Sequence, residues 1–357
     1  MALALTLGRR GLGRTWPNPA VGAVIVAGGL IASRGWTQSG GRPHAEVEAL
    51  RRAGKAARGA TLYVTLEPCS HQGKSPPCAD AIIAAGIARV VSALEDPNPK
   101  VAGAGHARLV AAGVAVDVGI GADEARRAHA GHIRRVRNGR PNVMLKLAIS
   151  ADGKVAAAGR RPIAITGSEV RDRVHLMRAQ SDAIMVGIGT VLADDPLLTC
   201  RLPGMERDSP VRIVLDGHLR LPASSRLVRT ARDVPVWLIG GPHAPSANEQ
   251  TLVAAGVDIA RMPNRNGHFD LSTVLKLLAE RGITRLMVEG GPTLAASFVA
   301  ADLVDEAVLF RSARSVGADG IDALEDLPLT ALTSSLQLSR IKSEPLGADT
   351  WDVFERK

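Results

Sequence analysis

The sequence predicts an α/β protein built as two domains, and three observations carry that reading. A chain of 357 residues is longer than one hydrophobic core usually serves. Short apolar runs alternate with helical patterns, as strand–helix–strand units around a layered sheet require. The stretch Asn138-Gly139-Arg140-Pro141 interrupts that pattern, which places the domains at 1–140 and 141–357. Hydrophobic residues make up 46% of the chain, enough for two cores. Aromatics are only 3%, so those cores must be aliphatic.

The first half reads as follows. Residues 1–13 are mixed with arginines and lack a small-residue cleavage site, which argues against a signal peptide. Residues 14–22 form an extended turn with prolines on both sides of Asn18. Asn18 is either a turn residue or an amide that reads a pyrimidine edge with its donor and acceptor. A strand over 23–26 and a turn at Ala27-Gly28-Gly29 come next. A helix runs over 44–53, bounded by Gly54 and Gly59. A strand over 61–65 leads to a cysteine loop, and a helix follows Cys78 as far as Gly86. After a strand over 89–93, Asp96-Pro97-Asn98-Pro99-Lys100 makes a rigid loop at a strand end. Ligand contacts are often placed there in α/β proteins, so Asp96 and Asn98 are either substrate contacts or plain turn residues. A helix over 105–112, a strand over 114–118 and one basic amphipathic helix over 121–137 complete this half.

The second half opens with a strand over 143–150 and a turn over 151–154. A helix starts at the capping-box pattern Thr166-Gly167-Ser168-Glu169 and runs to Arg178. Strands are expected over 183–187, 211–215, 234–239, 285–288, 304–310 and 350–355, with a helix over 270–281. Glu289-Gly290-Gly291-Pro292-Thr293-Leu294 closes a strand and opens a helix. It is either a backbone nest for a phosphate or a tight turn. Gly187-Ile188-Gly189 lacks a third glycine, so the Rossmann dinucleotide fingerprint is absent.

Charge and cysteine usage exclude several classes. The net charge is +9, but basic residues are dispersed and no aromatic residues are interleaved with them. A nucleic-acid partner is therefore not expected, whereas a phosphorylated small molecule would use a few of these charges. No stretch approaches the roughly 18 apolar residues of a membrane span, so no membrane partner is expected. Three cysteines argue against a disulfide framework and for a reducing, cytoplasmic setting. Cys200 reads as an inert, partly buried thiol.

The other two cysteines carry chemistry. His44, Cys69 and Cys78 offer one imidazole and two thiols, a ligand set suited to Zn²⁺. Three ligands leave a fourth position for water, the catalytic arrangement. Glu46 stands two residues past His44, where it can serve as a proton shuttle without binding the metal. Both ligand segments fall at helix starts, which favour thiolate over thiol. One departure stands out: zinc nucleobase deaminases space their cysteines Cys-x-x-Cys, whereas eight residues separate Cys69 from Cys78.

Taken together, Pro17-Asn18-Pro19-Ala20-Val21-Gly22, His44-Ala45-Glu46, the run Glu67 to Cys78 and Glu95-Asp96-Pro97-Asn98-Pro99 resemble the bifunctional riboflavin-biosynthesis deaminase/reductase family, whose cysteines are spaced as here. In the second half Lys146-Leu147-Ala148, the run Leu176 to Ala183, the run Thr190 to Pro196 and the run Glu289 to Leu294 match its reductase. The resemblance implies a cytidine-deaminase-like α/β/α domain with Zn²⁺, joined to a dihydrofolate-reductase-like α/β domain with NADPH. It implies two steps on a ribosylaminopyrimidine phosphate: loss of a ring amine as ammonia, then reduction of ribosyl to ribityl. Glu46 is the expected catalytic residue. Asn18, Lys74, Asp96 and Asn98 resemble deaminase substrate contacts. Ala148, Thr190, Asp194 and the run Gly291, Pro292, Thr293, Leu294, Ala295, Ala296, Ser297 resemble cofactor contacts. Arg178, Leu198, Arg201 and Glu289 resemble reductase substrate contacts, the two guanidiniums suiting a phosphate. A homo-oligomer is expected.

Three positions depart from the family pattern. Thr37 stands where many relatives have a histidine, Ala164 where a tryptophan is common, and Pro162 where a serine often touches substrate. Two rival readings remain at this point: a deaminase of nucleic acid, and a domain with a purely structural zinc.

Overall fold

Each half of the chain builds its own sheet. In the computed structural model, residues 1–73, 76–99, 101–244 and 246–357 are described. Contacts divide the chain into two units, Met1–Pro141 and Asn142–Lys357.

The first unit contains, in order, α1 (Ala2–Gly8), β1 (Gly22–Ala27), β2 (Leu30–Trp36), α2 (Ala45–Ala53), β3 (Thr61–Val64), α3 (Cys78–Ala84), β4 (Arg89–Ser92), α4 (Ala104–Ala111), β5 (Ala115–Val118), α5 (Ala122–Ala128) and α6 (Ala130–Asn138). The strand order is β2-β1-β3-β4-β5. β1 runs antiparallel to both its neighbours, and β3, β4 and β5 run parallel. The core is aliphatic, with Ile25, Leu62, Val64, Ile82, Val90 and Leu109 buried together. Two glycines let helices approach the sheet closely. A Cβ on Gly22 would stand 1.8 Å from Ala4 O, and one on Gly35 would stand 2.2 Å from Ala45 O and 2.6 Å from Ala49 N. Gly35 thus seats α2, the helix that begins beside His44.

Three features differ from the sequence reading. α1 and β2 were not expected. The basic helix expected over 121–137 is two helices that meet at His129, which takes φ −98° and ψ 12°. A tertiary contact accounts for the break: the buried His129 places Nε2 3.0 Å from Thr65 Oγ1 at the end of β3.

The second unit contains β6 (Asn142–Ile149), β7 (Lys154–Ala156), α7 (Ser168–Ala179), β8 (Ala183–Gly187), α8 (Ile188–Asp194), β9 (Val211–Asp216), α9 (Arg226–Arg229), β10 (Val236–Gly240), α10 (Ser246–Ala254), β11 (Val257–Arg261), β12 (Asn264–Arg265), β13 (His268–Phe269), α11 (Leu271–Glu280), β14 (Arg285–Val288), α12 (Pro292–Ala300), β15 (Glu306–Arg311), β16 (Ile321–Asp322), α13 (Thr330–Thr333), β17 (Leu338–Leu346) and β18 (Asp349–Arg356). Its main sheet has the order β11-β10-β9-β8-β14-β6-β15-β18-β17. Strands from β11 to β15 are parallel, and β18 and β17 close the edge as an antiparallel hairpin. The two-residue period of β6 buries Val143, Leu145, Leu147 and Ile149 on one face. Lys146 and Ala148 therefore share the other. Asp182 ties β8 to β14: its buried Oδ2 accepts from Thr284 N at 2.7 Å, Thr284 Oγ1 at 2.7 Å and Arg285 N at 2.8 Å.

Two expectations change here. The capping box at 166–169 does not form. Gly167 is the residue before α7, it has no side-chain cap, and its N–H donates instead to Asp349 Oδ2 at 2.8 Å. Cys200 is fully rather than partly buried.

The seat of α2 yields a test. Gly35→Ala forces the new methyl against backbone, not against a flexible side chain. Overpacking of this kind costs about 1–3 kcal/mol or more, and urea unfolding should report a midpoint lowered accordingly.

Candidate active sites

His44 immediately precedes α2 with extended backbone, and Cys78 is the first residue of α3. Cys69 lies in the loop before α3. That loop is clasped at its ends: Ala79 N donates to Cys69 O at 3.1 Å and Cys78 N donates to Cys69 Sγ at 3.3 Å. The clasp brings the two cysteines together despite the residues between them. His44 Nδ1 lies 3.3 Å from Cys78 Sγ and 3.7 Å from Cys69 Sγ. All three ligand atoms fall within 4.8 Å of one another. One imidazole and two sulfurs at this spacing fit a tetrahedral zinc. Among the described residues this group contains three ligand side chains, which matches an open rather than a closed coordination set.

The electrostatics agree with a metal-binding pair of thiols. A hydrogen bond from Cys78, opposed by burial and helped by His44, holds the Cys69 thiol down at about 4. Cys78 is pushed up by its hydrogen bond to Cys69, by burial and by the charges of Glu46 and Cys69. Glu46 is buried in the first turn of α2. Burial raises its carboxyl, against the lowering pull of His44, and its carboxylate also takes a hydrogen bond from Cys78. A buried carboxyl beside a metal set is placed to carry a proton in either direction.

A second buried carboxylate, whose role the sequence reading missed, scaffolds this site. Glu67 Oε1 accepts from Gly105 N at 2.8 Å and His106 N at 3.1 Å, and Oε2 accepts from Asp96 N and Gly103 N, each at 3.0 Å. Four backbone N–H groups thus hold the residue two places before Cys69, and a Cβ on Gly105 would stand 2.0 Å from Pro68 O. Asp96, expected at substrate, is buried. Its Oδ1 accepts from Asn98 N at 2.9 Å and lies 3.0 Å from His132 Nε2. His132 was also missed, since a histidine in a basic helix carries no signal of its own. Asn18 donates from Nδ2 to Gly41 O at 3.0 Å, and Lys74 lies outside the described residues. Thr37 plays a structural part, since its Oγ1 accepts from Val21 N at 3.0 Å and joins the ends of β1 and β2.

In the second unit a cavity of about 760 Å³ opens at the carboxyl ends of β6, β8, β9 and β14. Of the expected cofactor residues, Ala148, Thr190, Asp194, Gly291, Pro292, Thr293, Leu294 and Ser297 line it. Ala295 is fully buried behind it, and Ala296 is not in its wall. Gly187 and Gly189 also face it, with nothing within 4 Å of where a Cβ would stand. Gly291 N donates to Thr190 Oγ1 at 3.0 Å, which joins the ends of β8 and β14. Bare backbone at two adjacent strand ends, beside the first turn of α12, is a cradle that fits a dinucleotide. Pro162 and Ala164 line the same cavity.

Arg178, Arg201 and Glu289 face the cavity as expected, together with Lys146. Leu198 does not: it packs into the hydrophobic core with φ 57°, because its side chain is needed there. Glu289 Oε1 accepts from Lys146 Nζ at 3.2 Å and Arg178 NH2 at 2.9 Å, and Oε2 accepts from Arg178 Nε at 3.0 Å. Burial would raise Glu289, but the Lys146 and Arg178 cations outweigh it and hold the carboxyl at about 2.

The fold and these sites define a zinc-deaminase-type domain joined to an α/β reductase-type domain. The model of the cytidine and deoxycytidylate deaminase zinc-binding region matches residues 1–94, and that of the RibD C-terminal domain matches residues 141–351. The riboflavin biosynthesis protein RibD of Escherichia coli (strain K12) is 42% identical, with 92% of this chain and 93% of that protein covered. The structure of Acinetobacter baumannii RibD superposes with a TM-score of 0.87 at 35% identity, covering 100% of this chain and 97% of that one. A Thermotoga maritima diaminohydroxyphosphoribosylaminopyrimidine deaminase/5-amino-6-(5-phosphoribosylamino)uracil reductase gives a TM-score of 0.86 at 34% identity, with the same coverage. The chain belongs to the RibD family.

Two tests follow. Glu67→Ala leaves four N–H groups, three of them buried, without their acceptor. Stability should fall by at least about 2–3 kcal/mol, and zinc content measured by atomic absorption should fall with it. Glu289 is an acid held below its ordinary value near 4.5, so the stability it adds is complete above that value and lost as pH falls toward about 2. Glu289→Gln should flatten acid unfolding across that window; an unchanged acid limb would contradict the assigned pairing.

Proposed function

We propose that this chain catalyses two steps of riboflavin biosynthesis. Residues 1–140 deaminate 2,5-diamino-6-(5-phosphoribosylamino)pyrimidin-4-one with Zn²⁺, and residues 141–357 reduce the ribosyl group of the product to ribityl with NADPH. The observation that carries the reading is the convergence of His44, Cys69 and Cys78 beside the buried carboxyl of Glu46.

Zn²⁺, held by those three side chains, supplies the Lewis acidity that makes water nucleophilic near neutral pH. Glu46 takes one proton from the attacking water and gives it to the ring nitrogen, then takes the second from the added hydroxyl and gives it to the departing amine, so water enters and ammonia leaves. Asp96 and Asn98 hold the pyrimidine at the strand end, with Asn18 at the mouth, and Lys74 is a further proposed substrate contact.

In the second unit NADPH supplies the two-electron reducing equivalent. Gly187, Thr190, Asp194 and the turn Gly291–Leu294 hold it along the strand ends. Lys146 and Glu289 meet the ribosyl group, and Glu289, kept ionised by its two cations, accepts hydrogen bonds from sugar hydroxyls. Arg178 and Arg201 bring positive charge to the phosphate end.

Two variants separate the steps. Cys69→Ser should lose zinc and ammonia release, yet oxidise NADPH on pre-deaminated substrate within about twofold of the parent; equal loss of both activities would argue against independent sites. Glu46→Gln should retain zinc while deamination falls by about 10²–10⁴, and normal deamination by that variant would remove the proton-shuttle role.

A further inference from the structure

His175 is buried on α7, one turn before Arg178, and forms part of the cavity wall. Its Nδ1 lies 3.1 Å from Arg201 N and 3.1 Å from Thr199 O. One nitrogen cannot accept from the first and donate to the second at once. The surrounding bonds decide between them. Thr199 O already receives Arg178 NH1 at 3.2 Å. Arg201 N has no other acceptor among the described residues. A bare Nδ1 therefore leaves both Thr199 O and Arg201 N paired, whereas a protonated one orphans the Arg201 N–H. Burial first, then the Arg178 and Arg201 charges, push His175 below the usual imidazole value, and the Thr199 carbonyl and Glu289 only partly offset them. The ring stays neutral at neutral pH.

The two arginines beside it have different duties. Arg178 commits Nε and NH2 to Glu289 and NH1 to Thr199 O. The Arg201 guanidinium, among the described residues, has no hydrogen-bond or ion-pair partner, and it sits near the further cations Arg178 and Arg226. An exposed cation on the cavity wall near like charges is a seat for an anion.

We infer that His175 is a positioning residue of the reductase site, its bare Nδ1 gripping the backbone of Arg201 and so aiming the guanidinium that receives the substrate's phosphate monoester. This rests on the reading of Arg201 as a phosphate contact given above. Arg178, by contrast, serves Glu289. The grip acts on substrate binding alone, because the cofactor cradle is built from the ends of β8 and β14.

The test uses the full chain, with deaminated phosphoribosyl substrate and NADPH varied in turn, and calorimetric titration of the same substrate. His175→Phe keeps the ring size and removes the acceptor. It should raise substrate KM and Kd about tenfold, with kcat and the KM for NADPH within about twofold. His175→Asn, whose Oδ1 can stand where Nδ1 stood, should return substrate KM to within about threefold of the parent. Should the phenylalanine variant fail to fold, His175→Leu reads the same loss. An unmoved substrate KM, equal rises in both KM values, or no rescue by asparagine would overturn the inference. Arg201→Ala separates the two levels. If it leaves substrate KM unmoved, the phosphate role of Arg201 fails and the inference goes with it. If it raises substrate KM while His175→Phe does not, only the role of His175 is lost.

Discussion

A buried anion must be met by N–H groups or by cations, and the first unit is arranged around that constraint. The tripeptide Glu67-Pro68-Cys69 carries a buried carboxyl side chain and a half-buried sulfur into the site. Glu67 is met by four backbone N–H groups from the segment between β4 and α4. Cys69 is met by the N–H of Cys78 and by His44. The same short stretch therefore fixes the loop after β4, which holds Asp96, and the sulfur that a metal needs. Because the donors are main-chain groups, the arrangement depends on backbone path more than on the identity of the side chains around it.

The second unit solves the same problem with cations. Glu289 is buried at the end of β14 and stays ionised because Lys146 from β6 and Arg178 from α7 converge on it. Those cations are then spent on a carboxylate. Positive charge for a phosphate must come from elsewhere, and Arg201 is a cation on the cavity wall whose guanidinium stays open among the described residues. Lys146, Arg178 and Glu289 together keep one net positive charge and Arg201 adds a second, which suits the phosphorylated substrate proposed above.

Much of this was legible in the sequence. Strands β1, β3, β4, β6, β8, β9, β10, β14 and β15 are largely apolar runs because each lies inside a sheet, where both faces demand burial. Of the four edges of the two main sheets, only β5 was legible. β17 is largely exposed, carries Lys342 and Pro345, and lacks a period to read. β2 and β11 are edges too. His44, Glu46, Cys69 and Cys78 stood out because their chemistry is rare. Glu67 did not, since its partners are backbone groups that leave no trace in residue identity. Leu198 and Ala295 show the converse: matching a motif placed them near a ligand, but their side chains turn into the core.

The spacing of the cysteines shows why distance along a chain is a weak guide to distance in space. A Cys-x-x-Cys pair is brought together by one turn of backbone. Here eight residues intervene, and the same proximity is recovered by Ala79 N on Cys69 O and Cys78 N on Cys69 Sγ. The loop is pinned outside as well, where Arg108 from α4 reaches Ser70 O at 3.3 Å and Asp80 Oδ1 at 2.7 Å. What the site requires is that the chain close on itself at Cys69 and Cys78.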